Sequence, residues 1–218
     1  MRWPWRPRQL PHRPVPAEPA SAPADGLAPG FSESALFSSV LNMHGAEPGV
    51  VIPWQARSAE LGARRLGRDK GIGLLQAAWA RQGPSQPFER QQLATLGLFM
   101  EFVTVAPNRE LIQQGEYGDF MLVLLGGVMA VERSGPTGEP LRMAEAGEGD
   151  LLGEMSLLDH GMRFSSCLSL TECELAVLTS EGLDEMMHNE PHLAARLMLM
   201  LARKLSVRLR VVSAKLNA

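Results

Sequence analysis

The sequence predicts a mainly β domain with flanking helices, and three observations predict it. Between residues 102 and 133, short apolar runs are separated by Gly, Asn, Asp and Pro clusters at near-regular intervals, the texture of an all-β barrel or sandwich. After Thr179 the apolar period changes from about two residues to about 3.6, so strands give way to helices. Before residue 88, two stretches carry apolar residues at helical spacing.

Size and composition set the limits. A chain of 218 residues, 45% hydrophobic and 21% charged, has room for one well-buried domain plus additional segments and is not disordered throughout. A net charge of -3 argues against general nucleic-acid binding, which rests on many Lys and Arg side chains neutralising phosphates. Cys167 and Cys173 match no metal-ligand spacing and are too few for a disulfide scaffold, so both are read as small buried side chains. No apolar run reaches the ~18 residues of a membrane span, and Met1 to Arg6 opens no signal-peptide core. A cytoplasmic location without membrane attachment is the expectation.

Taken in order, residues 1–30 hold eight of the sixteen prolines and are expected to form a disordered Pro/Arg-rich tail. Its Arg2, Arg6, Arg8 and Arg13, with Trp3 and Trp5, could serve as an arm for an anionic partner; an unstructured start is the plainer reading. Residues 31–87 form a helical extension and linker, with helices expected over Phe31–Leu41 and Gly71–Ala80. Residues 88–179 carry the strands: Phe102–Val105, Leu111–Gln114, Phe120–Leu125 and Val128–Arg133, then a loose hairpin over 134–140. Residues 180–218 hold a short helix, Ser180–His188, and a long one from His192 to about Asn217 that opens after Asn189-Glu190-Pro191. Its apolar seam is Ala194, Met198, Leu201, Leu205, Val212 and Leu216, while Leu193, Leu197, Leu199, Met200, Val207, Leu209 and Val211 add apolar surface outside it. Two such helices suit a homodimeric coiled coil, with burial against residues 31–83 as the alternative use of that surface.

The chemistry is concentrated between Gly153 and Ser166. Leu151-Leu152 ends a strand, Gly153 permits a tight turn, and Glu154 to Leu158 can form one helical turn whose free N–H groups favour an anion. Arg163, nine residues beyond Glu154, is the one Lys or Arg of the segment and can clasp a phosphate in bidentate fashion, with backbone donors around Ser165. Glu154 then suits a sugar hydroxyl. The competing reading is an ordinary Glu154–Arg163 ion pair bridging two turns.

Gly153-Glu154-Met155-Ser156-Leu157, the nine-residue step to Arg163 and the small-residue strand after it resemble the phosphate-binding cassette of the cyclic-nucleotide-binding domain family. Ile112 to Asp119 with Leu122 to Gly127 is similar to the family's early strand–turn–strand pattern. Thr171 to Leu178, Pro191 to Leu197 and Leu201 to Leu205 are similar to the later strands and lid helix of its catabolite-activator-like effector domains. The resemblance spans roughly residues 90 to 216. It implies an eight-stranded jelly-roll β-barrel with C-terminal lid helices, and a bacterial sensor or regulatory domain that binds cAMP, cGMP or a related cyclic phosphate and signals through its C-terminal helix. Glu154 would take the ribose hydroxyl and Arg163 the cyclic phosphate, with Gly153, Met155, Ser156 and Ser165 adding backbone or hydroxyl contacts.

Two departures stand out. Phe164 follows the arginine where the family usually carries Ala, Ser or Thr; strand alternation sends its ring into the barrel, and otherwise it narrows the pocket. On the lid, Arg208 and Leu209 occupy positions where catabolite-activator relatives use hydroxyls, so base preference does not transfer, and Leu201, Leu205 and Arg208 are the candidate lid contacts. His160, His188 and His192 have no metal-ligand spacing, and residues 97–159 contain no histidine, which argues against a metal-dependent jelly-roll enzyme. No catalysis, metal or cofactor is expected. The chain stops at Ala218 with no helix-turn-helix after the lid, so the expectation is against DNA binding and for a downstream protein partner. A degenerate, ligand-free scaffold or interaction module of the same fold is the alternative.

Overall fold

A computed structural model of the chain describes residues 50–81, 88–134 and 139–216. The expected tail over 1–30, the helix over Phe31–Leu41 and the hairpin tip at 135–138 lie outside the described residues. The first elements are β1 (Val51–Ile52), α1 (Trp54–Leu61), β2 (Arg64–Arg65), α2 (Arg68–Ala80) and α3 (Arg90–Leu96), followed by a 3-10 turn at Gly97–Phe99. The β domain proper comprises β3 (Glu101–Val105), β4 (Glu110–Ile112), β5 (Tyr117–Gly118), β6 (Phe120–Gly126), β7 (Met129–Ser134), β8 (Pro140–Ala146) and β9 (Leu151–Leu152). A short helix α4 (Glu154–Asp159), β10 (Ser166–Ser169) and β11 (Cys173–Thr179) follow, and the chain closes with α5 (Ser180–Asn189) and α6 (Pro191–Leu216).

The strands form a four-stranded sheet, β4-β10-β7-β8, and a five-stranded sheet, β2-β3-β11-β6-β9, with β1 paired to β5 alone. Without β2, eight strands are divided four and four, and each sheet interleaves early and late strands, as a jelly roll requires. The ladders make two facing sheets and not one closed cylinder, the double-sheet form of the expected fold class. Between them lies a core that includes Val103, Leu111, Ile112, Phe120, Leu122, Leu124, Met129, Cys167 and Leu175.

β6 explains why its sequence reads as an unbroken apolar run. Phe120, Leu122 and Leu124 enter the inter-sheet core, while Met121, Val123 and Leu125 face a second core built from the helices. That second core takes Leu75 and Trp79 from α2, Leu93 and Leu96 from α3, Leu183 and Met186 from α5, and Leu193, Leu197 and Leu201 from α6. Trp79 stacks on Phe88 with centroids 5.6 Å apart and donates its indole N–H to the Gly149 carbonyl at 3.3 Å. α5 starts where Thr179 accepts the Gly182 N–H at 3.1 Å, an N-cap made by the last residue of β11.

Three expectations change. The segment before residue 88 supplies strands as well as helices, since β2 extends the five-stranded sheet through Arg64↔Thr104 and Arg65↔Val103. The second run of the early pattern stops at Ile112, and Gln113 and Gln114 enter a turn. On α6, Leu193, Leu197 and Met200, expected outside the main seam, are buried in the core beside Ala194 and Leu201. Beyond Leu201 no residue of α6 through Ala214 is fully buried, and Val207, Leu209, Val211 and Val212 are exposed. No helix among the described residues is long and apolar enough to cross a membrane.

Candidate functional site

The site is organised by the way residues 115–118 and 162–163 are tied together. Gly115 N–H donates to the Arg163 carbonyl at 2.9 Å, Arg163 N–H donates to the Glu116 carbonyl at 2.8 Å, and Tyr117 bridges Met162. Arg163 thereby starts from a fixed backbone position, and its side chain is 2% exposed. The guanidinium lies over the Phe120 ring, with Cζ 4.5 Å from the centroid, and Nη1 donates to the Gly153 carbonyl at 2.9 Å. Phe120 in turn receives Trp54 edge-on at 5.1 Å.

Two glycines make this placement possible. A Cβ on Gly118 would lie 2.7 Å from Nε and 2.8 Å from Cζ of Arg163, so the guanidinium occupies the volume a side chain would need. Gly153, at φ +74, turns the chain from β9 into α4, and a Cβ there would meet Nη1 at 2.6 Å. Arg163 Nε and Nη2 are buried with no hydrogen-bond partner among the described residues. Burial pushes the Arg163 guanidinium below its ordinary range; Glu116, Cys167 and Asp119 oppose that shift, and Arg57 adds to it. An arginine keeps its charge under ordinary conditions, so the arrangement holds a cation with two unengaged nitrogens. Two adjacent unpaired guanidinium donors are the chemistry that bidentate anion recognition uses.

Glu154, 4% exposed at the first turn of α4, is paired with Arg208 of α6 and not with Arg163. Arg208 Nη2 also donates to the Leu151 carbonyl at 3.3 Å. Burial lowers the Lys204 pKa while Asp150 and Glu154 raise it and Arg208 lowers it further, so α6 brings two cations to this wall. Ser156 is buried, Met155 is exposed and Ser165 is half-buried. Of the candidate lid contacts, Leu205 is half-buried, whereas Leu201 is fully buried and its surface is committed to the helical core.

Phe164 departs from the first of its two sequence expectations. The ring is 53% exposed and lies under Arg133, with Cζ 4.2 Å from its centroid, so it does not enter the core. Alternation does not govern it, because β10 begins only at Ser166. His160, His188 and His192 are exposed, and among the described residues no group of three or more His, Cys, Asp or Glu is placed to hold a metal.

Sequence reasoning missed the back of the site. Gly118 and Phe120 were read as turn and strand, although the guanidinium rests on both. Arg57 and Glu116, paired behind Arg163, carried no signal: Arg57 falls in the segment expected to be linker between two helices.

A sequence profile described as "Cyclic nucleotide-binding domain" matches residues 102–190, the segment that carries Gly118, Gly153, Glu154 and Arg163. Residues 102–190 match the cyclic nucleotide-binding domain family. A cyclic nucleotide-binding domain from Methylobacillus flagellatus KT superimposes with a TM-score of 0.62 at 26% identity, covering 68% of this chain and 84% of that one. The CRP-like cAMP-activated global transcriptional regulator of Mycobacterium tuberculosis (strain CDC 1551 / Oshkosh) is 28% identical over 126 residues, 58% of this chain and 56% of that protein. The cyclic AMP receptor protein of Thermus thermophilus is 32% identical over 98 residues, 45% of each chain. The chain therefore spans about half the length of the curated relatives it matches.

Proposed function

We infer that the domain is a sensor that binds cAMP, cGMP or a related cyclic phosphate through Arg163 and Glu154, catalyses nothing, and signals through α6. The observation that carries this reading is the Arg163 guanidinium: buried, anchored by Nη1 on Gly153, with Nε and Nη2 unengaged. A buried cation left with open donors is costly unless a ligand completes it, and a cyclic phosphate has the charge and the paired oxygens to do so. Gly153, Met155, Ser156 and Ser165 line the approach as backbone or hydroxyl contacts. Phe164 stands at the rim. Glu154 accepts a ribose hydroxyl after the Arg208 guanidinium gives way or is shared, which ties ligand occupancy to the position of α6. The names of the curated relatives make cAMP the first ligand to test.

Signalling through α6 needs a surface on which its movement is read. The exposed Val207, Leu209, Val211 and Val212 support a homodimer along this helix, and a downstream protein partner would read the same change. Calorimetric titration of the full chain with cAMP, cGMP and cyclic di-GMP tests the reading. Micromolar binding of any one of them supports it; silence from all three favours a scaffold that kept the fold without the ligand.

A further inference from the structure

Residues 50–61 precede the matched domain in sequence, yet they build the wall behind Arg163. β1 pairs with β5 through Val51↔Tyr117 and Ile52↔Gly118, and Trp54 braces the Phe120 ring on which the guanidinium rests. The Trp54 N–H also donates to Asp119 Oδ1 at 3.2 Å, which anchors the start of α1 beside β5. α1 then delivers Arg57 to the same place. Its side chain is 5% exposed, with Nη1 on Glu60 at 2.7 Å and Nη2 on Glu116.

Glu116 is the residue whose carbonyl receives the Arg163 N–H, and its side chain is 12% exposed. Both carboxylate oxygens are engaged, Oε2 by Arg57 and Oε1 by the Gln113 N–H at 3.2 Å. Beside it lies a buried guanidinium with two open nitrogens. A carboxylate and a buried arginine joined through neighbouring backbone attract one another, because each relieves the other's burial. Here the carboxylate is turned to Arg57 instead.

We propose that Arg57 is a positioning residue for phosphate recognition: by holding the Glu116 carboxylate, it keeps Nε and Nη2 of Arg163 open for the anion. The inference rests on the cyclic-nucleotide reading above and extends the site beyond the matched domain into α1. Glu116 also leads the charges that favour the cationic form of Arg163, ahead of Cys167 and Asp119, which makes it the competitor an incoming phosphate would meet.

The test is a calorimetric titration with cAMP of the parent full chain, Arg57→Met, Arg57→Lys and the double variant Arg57→Met/Glu116→Gln, each checked for folding by circular dichroism. Released from Arg57, Glu116 should close on Arg163 and weaken binding by about tenfold or more, whereas removing its charge in the double variant should bring affinity back to within about threefold of the parent. Arg57→Lys, which keeps the cation, should bind nearer to the parent than Arg57→Met. A purely structural Arg57 predicts no recovery in the double variant, and that result, or parent-like binding by folded Arg57→Met, overturns the proposal. Urea unfolding supplies a ligand-free arm: coupling between Glu116→Gln and Arg163→Met should grow when Arg57 is replaced by Met. If the parent binds none of the cyclic nucleotides, the sensor reading falls, and this coupling alone decides for or against Arg57.

Discussion

Gly118→Ala probes the site with a single methyl group. The added Cβ would sit 2.7 Å from Nε and 2.8 Å from Cζ of Arg163, well inside contact distance, so the guanidinium must shift or β5 must yield. Gly118 is not among the positive-φ glycines, so alanine brings no backbone strain and the perturbation is confined to this approach. A shifted guanidinium weakens its 2.9 Å bond to Gly153 and its seat on Phe120. Charged hydrogen bonds are worth ~1.5–3 kcal/mol and cation–π contacts ~0.5–2 kcal/mol. The two move together and are not summed, so the expected loss of stability is about 2–3 kcal/mol, in the range known for overpacking. The same shift misaligns Nε and Nη2 and should weaken cyclic-nucleotide binding at least about tenfold, ~1.4 kcal/mol. Urea denaturation reads the first effect and calorimetry the second. A variant with the parent's midpoint and the parent's affinity would refute the packing account of Arg163.

Three further perturbations have defined outcomes. Arg208→Ala removes the occupant of Glu154; because Arg208 is 52% exposed, the pair is worth no more than ~1 kcal/mol, so cAMP should bind up to about fivefold tighter by calorimetry. Weaker binding would instead make Arg208 a ligand contact. Phe164→Ala should change the unfolding free energy by less than ~1 kcal/mol, since a half-exposed ring under Arg133 is not core, and a loss of ~3–5 kcal/mol would restore the core reading. Burial pushes the Cys167 thiol from 9.0 to about 12. Below pH 9 it is protonated in both folded and unfolded chains. Between 9.0 and about 12 the unfolded chain loses the proton first, so stability falls as pH rises, by ~1.4 kcal/mol per pH unit from this group. Cys167→Ala should flatten that part of a urea-midpoint-against-pH profile, and an unchanged slope would rule the thiol out as its source.

The parts of the molecule legible in the sequence are those where one local pattern has one structural solution. Phe120 to Leu125, an apolar run closed by Gly126-Gly127, could only be a strand buried on both faces or a buried helix, and its length chose the strand. The step from Gly153-Glu154 to Arg163 was legible because a turn glycine, a carboxylate beside it and one Lys or Arg lie within one segment. What stayed hidden depends on pairing between distant residues. Val51-Ile52 and Arg64-Arg65 have no strand pattern and become strands only because β5 and β3 offer open edges. On α6, two adjacent stripes satisfy the 3.6-residue period, and only the packed sheet decides that Leu193, Leu197 and Met200 turn inward. Strand alternation misplaces Phe164 because the strand begins two residues later, at Ser166, and Arg57 is buried where the general rule leaves arginines outside.

The central claim is that Arg163 carries the phosphate of a cyclic nucleotide. Parallel calorimetric titrations of the parent chain and Arg163→Ala with cAMP and cGMP test it most directly, with circular dichroism confirming that both are folded. Losing a charge-assisted bidentate contact to a desolvated anion removes ~3 kcal/mol or more of binding free energy, beyond a hundredfold in affinity. The account predicts micromolar binding of at least one nucleotide by the parent and no measurable heat from Arg163→Ala. A folded Arg163→Ala that binds as the parent does would contradict it.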